Sequence, residues 1–116
     1  MKKIILDCDP GQDDAVALAL AMAAKDEIEI LGVTTVAGNV PLNLTQRNAR
    51  IMCEMCHRPD VKVYAGAEKP MAQELVTAEH VHGKSGLDGI EIYEPSHSLE
   101  EKHAIDFIIE SCLAAE

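Results

Sequence analysis

The sequence predicts an α/β fold in which βαβ units form a parallel, Rossmann-like sheet. Short apolar and β-branched segments alternate along the chain with longer segments whose apolar residues recur at helical spacing. Strands that alternate with helices in this way form right-handed βαβ units around a parallel sheet. Hydrophobic residues make up 47% of the 116 residues but aromatic residues only 3%, so we expect one small domain with an aliphatic core.

The alternation defines five elements in the first half of the chain. The predicted strands are residues 3–8, 28–36 and 61–64, and the predicted helices are residues 12–24 and 41–57. The first strand is a short apolar run, the second is long and β-branched, and the third is short. Each predicted helix therefore connects two predicted strands, as a βαβ unit requires.

A long irregular stretch, residues 65–96, follows the third strand and holds four of the seven glycines. Loops of this length are uncommon in small domains unless they are functional, and we predict that this one is mobile, at least in residues 73–86. A capping box between Ser98 and Glu101 then predicts the start of a last helix. The apolar face of this helix is formed by residues at helical spacing: Ile105, Ile108, Ile109, Cys112 and Leu113.

The chain stops inside this last helix, and three strands make only a small sheet for the helix to cover. We therefore expect residues 1–116 to be the N-terminal segment of a larger domain, apparently truncated. The uncovered helix face and the unpaired edge of the sheet also predict self-association, most simply as a homo-oligomer.

Four aspartates lie between the first strand and the first helix: Asp7, Asp9, Asp13 and Asp14. Carboxylates this close repel one another unless a proton or a cation compensates their charge. Alternation along the strand places Asp7 and Asp9 on the same side, and the other two fall at the start of the helix, where negative charge is favoured. Helix capping and solvation are the alternative explanation. At the carboxyl end of a parallel strand, the pattern favours a functional metal.

The charge of the whole chain excludes some partners. Acidic residues outnumber basic residues by 20 to 10, which gives a net charge of −10. Without clustered cations, we expect neither nucleic acid nor an anionic membrane as a partner. No segment has the roughly 18 apolar residues of a spanning helix, and the first apolar run is too short for a secretory signal. We therefore expect a cytoplasmic protein whose four cysteines are reduced.

Two other classes of protein also place acidic residues in a loop. A calcium-binding helix-loop-helix fits poorly, because the positions that should hold an acidic or amide residue, glycine and glutamate are Gly11, Gln12 and Leu18. Haloacid dehalogenase-like phosphatases fit better, since they carry an aspartate pair after a first strand, and Asp7 would be the nucleophile. They typically have threonine or valine where this chain has Gly11, and they do not require the Asp13-Asp14 pair.

The acidic segment from Asp7 to Ala15 resembles the N-terminal signature of the inosine-uridine-preferring nucleoside hydrolase family. The similarity continues in the same order along nearly the whole chain. It includes Thr34-Thr35-Val36-Ala37-Gly38-Asn39, Asn48-Ala49, Val63-Tyr64-Ala65-Gly66 and His82-Gly83 followed by Gly86-Leu87.

The resemblance implies an N-ribosyl hydrolase that binds Ca²⁺ deep in a pocket. Asp9 and Asp14 would be metal ligands, and Asp9 would also take a proton from the attacking water. Asp7 would not contact the metal and would instead orient the loop that carries these ligands, residues 7–14. A hard cation prefers such carboxylate oxygens, which agrees with these roles.

The resemblance also implies the substrate contacts. Asp13 would bind ribose hydroxyls, and Asn39 would line the pocket near the water and the sugar. His82 would lie on the side of the leaving base, where a histidine can supply a proton near neutral pH.

The first hypothesis is therefore a nucleoside N-ribohydrolase segment that acts in nucleoside catabolism or salvage, with ribonucleosides as substrates and ribose and free base as products. In the family, further calcium ligands and ribose contacts come from later in the chain. We therefore expect the 116 residues to lack activity alone. The alternatives are the phosphatase-like domain and an inactive, self-associating fragment.

Overall fold

The computed structural model describes residues 1–89 and 92–115, with the side chain of His82 outside that description. The elements are β1 (Lys2–Cys8), α1 (Gln12–Ala23), β2 (Ile28–Thr35), α2 (Leu42–Met55), β3 (Val63–Ala65), α3 (Glu79–His82) and α4 (Ala104–Ala114). The first five elements agree with the predicted order, and their bounds differ from the prediction by one or two residues. The predicted α/β class is confirmed.

The three strands form a parallel sheet in the order β1-β2-β3. At their carboxyl ends, Cys8 pairs with Thr35, and Thr35 pairs with Ala65. The chain therefore leaves all three strands at the same edge of the sheet, which is where ligands bind in open α/β sheets. This edge carries the acidic residues that follow β1.

The core lies between one face of the sheet and the helices α1 and α2. Its buried members are aliphatic or small, as the composition predicts: Leu18, Met22, Val33, Ala49, Met52, Cys53, Val61 and Val63. Because side chains alternate along a strand, Tyr64 lies on the opposite face from Val63. There it stacks on Phe107 of α4, with ring centroids 3.9 Å apart. The two helices of the βαβ units and α4 therefore cover opposite faces of the sheet.

The predicted capping box is wrong. Residues 98–101 are not helical, because Leu99 forms a parallel bridge with Val63 and the N–H of Glu100 donates to the carbonyl oxygen of Val63 at 2.9 Å. This pairing beside β3 satisfies the backbone in an extended conformation. Helix α4 begins at Ala104 instead, and the Nδ1 atom of His103 accepts a hydrogen bond from the N–H of Ile105.

Two helices carry apolar side chains on their outer surfaces. In α4, residues Ala104 and Phe107 face the sheet, whereas the predicted apolar face is largely exposed, including Leu113 at 83%. Val16 and Leu20 of α1 are exposed at 69% and 72%. The exposed face of α4 is the one that the sequence predicts to need cover, and the exposed face of α1 is a second such surface. The longest helix in the described part of the chain has 14 residues, and none there is long and apolar enough to cross a membrane.

Candidate functional site

The acidic loop, residues 7–14, comprises the end of β1, a tight turn over residues 9–11 and the first residues of α1. Pro10 and Gly11 at its centre are buried, so the loop is packed against the domain. The N–H of Asp9 donates to Oδ2 of Asp14 at 3.2 Å. This bond closes the loop and places the two predicted metal ligands beside each other.

The loop that follows β2 holds Asp9 in place. The N–H of Asn39 donates to Oδ2 of Asp9 at 2.9 Å, and Nδ2 of Asn39 donates to the carbonyl oxygen of Asp9 at 2.8 Å. A Cβ atom on Gly38 would lie only 2.1 Å from that same Oδ2 atom, so a larger residue at this position would displace the carboxylate of Asp9. The structure therefore brings together Asp9, Asp14 and Asn39, which belong to the predicted metal and substrate set.

The site is strongly negative. Burial raises the pKa of Asp14, and the carboxylates of Asp13 and Asp9 raise it further. None of the ion pairs formed among the described residues involves an aspartate of the acidic loop. A cation would relieve the repulsion between these carboxylates.

The donor atoms fit a hard cation but make only part of its shell. Asp9 and Asp14 offer carboxylate oxygens, the ligands that Ca²⁺ prefers, and Ca²⁺ takes about six to eight of them. Within residues 1–89 and 92–115, no group of three or more His, Cys, Asp or Glu side chains could hold a metal ion. The two aspartates would therefore supply only a minority of the ligands that a calcium ion requires.

Cys8 lies inside the acidic loop, where its surroundings favour the neutral thiol over the thiolate. Burial raises the pKa of its thiol to about 12, and Asp14, Asp7 and Asp9 contribute in the same direction. The thiol therefore stays protonated at neutral pH, whereas a metal ligand or nucleophile has to be a thiolate.

The other two aspartates are more exposed than Asp9 and Asp14. Oδ1 of Asp7 accepts a hydrogen bond of 2.7 Å from the hydroxyl of Thr34, which is fully buried, and this bond joins the ends of β1 and β2. Asp13 lies exposed in the first turn of α1. It is free to contact a sugar, and it raises the pKa of Asp14. The predicted roles of Asp7 and Asp13 stay predictions.

The long irregular stretch of residues 65–96, here called the long loop, contacts the acidic loop again after α3. The N–H of Ala78 donates to the carbonyl oxygen of Asn39 at 2.8 Å, just before α3 begins. After α3, Nε2 of Gln12 donates to the carbonyl oxygen of Asp88 at 2.8 Å. His82 is the last residue of α3, and its predicted role stays a prediction because its side chain lies outside the described structure.

Sequence reasoning gave no role to two residues that shape the site. Gly38 accommodates the carboxylate of Asp9, and the signal available was a glycine directly before Asn39. Asn48 connects the acidic loop to the long loop through two hydrogen bonds. Its signal was a polar residue on the apolar face of a predicted helix.

Comparisons with known proteins place this geometry in a family. The family model described as inosine-uridine preferring nucleoside hydrolase matches residues 4–116. The chain belongs to this family. The predicted resemblance is thereby confirmed, and the matches do not favour the phosphatase hypothesis.

Three relatives illustrate the similarity. An uncharacterized protein of Schizosaccharomyces pombe is 55% identical over 109 residues, which are 94% of this chain and 35% of the relative. The pyrimidine-specific ribonucleoside hydrolase RihA of Salmonella schwarzengrund is 46% identical over 105 residues, or 90% of this chain and 33% of the relative. The structure of a purine-preferring ribonucleoside hydrolase from Gardnerella vaginalis aligns with a TM-score of 0.84 and 34% identity, over 97% of this chain and 37% of that chain. The chain thus spans about a third of the length of these relatives.

Proposed function

We propose that this chain forms the metal-binding and ribose-binding N-terminal part of a nucleoside N-ribohydrolase. The reaction is hydrolysis of the N-glycosidic bond of a ribonucleoside to ribose and the free base. The observation that carries the proposal is the convergence of Asp9, Asp14 and Asn39 at the carboxyl edge of the sheet in a member of the nucleoside hydrolase family.

Asp9 and Asp14 are the residues that would hold Ca²⁺. A bound Ca²⁺ would lower the pKa of a coordinated water and so make that water easier for a base to deprotonate. Asp9 is the base that takes the proton, and the N–H of Asn39 orients its carboxylate. Because Nδ2 of Asn39 is bonded to the backbone of Asp9, the amide plane of Asn39 is fixed beside the carboxylate.

The remaining residues act on the sugar and the base. Positive charge develops on the ribosyl ring as the C–N bond breaks, and the carboxylates of the acidic loop stabilise that charge. Asp13, exposed on the first turn of α1, binds ribose hydroxyls. His82 donates a proton or a hydrogen bond to the leaving base.

We also propose that the 116 residues alone bind Ca²⁺ weakly and do not turn over nucleosides. The chain spans about a third of its relatives, and its described residues offer only two carboxylate ligands at the site. Catalysis needs the reacting groups held within about half an ångström of productive geometry, which an incomplete shell does not provide. We also propose that the chain self-associates through the exposed apolar faces of α1 and α4. The proposed location is the cytoplasm.

Calcium titration tests the metal site directly. Isothermal titration of the chain with Ca²⁺ should show binding that the double variant Asp9→Asn, Asp14→Asn loses. The matched control is Asp26→Asn, Glu27→Gln, which makes the same change in charge at the turn between α1 and β2 and should bind like wild type. Equal binding by wild type and the Asp9, Asp14 variant would reject the site.

A nucleoside titration tests the substrate class. With millimolar Ca²⁺, inosine or uridine should shift the backbone amide resonances of the acidic loop and of Asn39, while the free base alone should not. A steady-state assay with uridine, cytidine and inosine should detect no release of base by the chain. Turnover near the ordinary enzyme range of about 1 to 10³ per second would show that the 116 residues are sufficient.

A further inference from the structure

Asn48 lies where the acidic loop and the long loop meet. It is fully buried in α2, and its Nδ2 atom donates to the carbonyl oxygen of Pro10 at 3.1 Å and to that of Ser85 at 2.8 Å. The first carbonyl belongs to the acidic loop and the second to the long loop. A primary amide carries two N–H donors, so one side chain can bind both backbone segments at once.

The long loop fits closely around this amide. Gly86 has φ +84, and a Cβ atom there would lie 2.8 Å from Nδ2 of Asn48 and 3.1 Å from Cγ2 of Val40. The next residue, Leu87, is only 3% exposed. Glycine therefore permits both the backbone conformation and the close approach that the two hydrogen bonds require.

One polar atom of Asn48 is in an unfavourable environment. Its Oδ1 atom is buried and has no hydrogen-bond partner among the described residues. A buried polar atom without a partner is unfavourable, so an apolar residue would be better here if the position served packing alone. The two donated bonds give a reason for a polar residue at this position.

The hydrogen bond between Asn48 and Ser85 lies directly after the short helix α3. Helix α3, which ends at His82, is attached on one side by the bond from Ala78 to Asn39 and on the other by the bond from Asn48 to Ser85. We propose that Asn48 is a positioning residue that couples the acidic loop to the segment carrying His82. As a role in the nucleoside site this rests on the proposed function, whereas the coupling of the two loops can be tested without it.

Amide hydrogen exchange of the 116-residue chain measures the coupling. The reporters are the N–H of Gly86, bonded to the carbonyl oxygen of Gly83 at 3.2 Å, and the N–H of Leu87, bonded to Oγ of Ser85 at 3.1 Å. In metal-free Asn48→Leu, which removes both donors at similar volume, these two amides should exchange about tenfold faster, as expected for the loss of a hydrogen bond. The amide of Val33 in the central strand should change less than threefold.

Thr45→Val is the matched control. Thr45 is fully buried in the same helix, one turn before Asn48, and its hydroxyl donates to the carbonyl oxygen of Leu42 at 3.2 Å. The control therefore removes a buried hydroxyl whose hydrogen bond stays within α2. Exchange at Gly86 and Leu87 should match wild type in this variant.

The same reporters detect communication with the metal site. Added Ca²⁺ should slow exchange at Gly86 and Leu87 in wild type by threefold or more, and Asn48→Leu should lose this effect. Should Asn48→Leu fail to fold, Gly86→Ala should free Leu87 in the same way, by displacing the long loop from the other side.

Several results would overturn the coupling. Unchanged protection of Gly86 and Leu87 in Asn48→Leu is one, and equal acceleration at Val33 is another, because it would indicate general destabilisation. A variant Gly86→Ala that leaves Leu87 protected would count equally against it. If wild type binds no Ca²⁺ in the calorimeter, the metal proposal fails, and the metal-free exchange still decides the role of Asn48.

Discussion

Gly38→Ala should weaken calcium binding by displacing one carboxylate. The new Cβ atom would lie 2.1 Å from Oδ2 and 2.7 Å from Cγ of Asp9, whereas nonbonded heavy atoms normally stay about 3.5 Å apart. The carboxylate therefore has to move by more than an ångström, which breaks its 2.9 Å hydrogen bond with the N–H of Asn39. Loss of a group that orients a metal ligand typically costs about 10- to 100-fold in affinity. Calorimetric titration with Ca²⁺ would measure this loss.

Gly32→Ala is the matched control for that experiment. It adds the same methyl group in the middle of β2, where a Cβ atom would lie 2.7 Å from Cζ of Phe107 and 3.0 Å from Cε2 of Tyr64. Forcing α4 away should cost roughly 1–3 kcal/mol of unfolding free energy, the usual range for overpacking, and leave calcium affinity unchanged. Calcium affinity of Gly38→Ala within twofold of wild type would refute the argument that Gly38 positions a ligand.

Four further predictions concern the rest of the chain. Near pH 8 a thiol reagent should modify the exposed Cys112 well before the buried Cys53. Burial raises the pKa of the Cys53 thiol to about 12, so little reactive thiolate forms there. Mass spectrometry of the labelled protein would show the order of modification. Between pH 9 and 12 the unfolded chain loses the Cys53 proton that the folded chain keeps, so stability should fall by about 1.4 kcal/mol per pH unit for this thiol. Urea unfolding of wild type and Cys53→Ala would isolate that slope, and equal slopes would contradict it. Arg50→Met should lower the unfolding free energy by about 1–3 kcal/mol, because the guanidinium binds Gln46, Glu94 and the carbonyl oxygen of His97. Glu94→Gln should cost under about 1 kcal/mol, since Glu94 is 73% exposed.

The elements that local sequence determines were predicted well. β1 and β2 are apolar or β-branched runs, α1 is rich in alanine, a strong helix former, and α2 has apolar residues at helical spacing; the parallel order follows from the alternation of these elements. The helix start predicted from the capping box is wrong because the backbone of that segment pairs with β3 instead. Leu99 and Glu100 pair with Val63, more than thirty residues away, and no local pattern encodes that contact.

The face of α4 that contacts this sheet also depends on contacts between distant residues. Helical spacing identified the most apolar side of the helix, but the side that contacts the sheet is set by shape. Phe107 reaches the sheet because Gly32 leaves space there and Tyr64 offers a ring to stack on. The volume that one strand leaves for a residue far along the chain cannot be read from helical periodicity.

The candidate site depends both on local sequence and on contacts between segments that are distant in the chain. The four aspartates are adjacent in sequence, so their presence at the end of β1 could be predicted from the order of the residues. Their geometry is decided elsewhere: Gly38 and Asn39 come from the loop after β2, and Asn48 comes from α2. Only a fold that brings these segments to one edge of the sheet can hold Asp9 and Asp14 together against their mutual repulsion. The acidic loop therefore carries the chemistry, and the neighbouring loop and helix fix the position at which that chemistry acts.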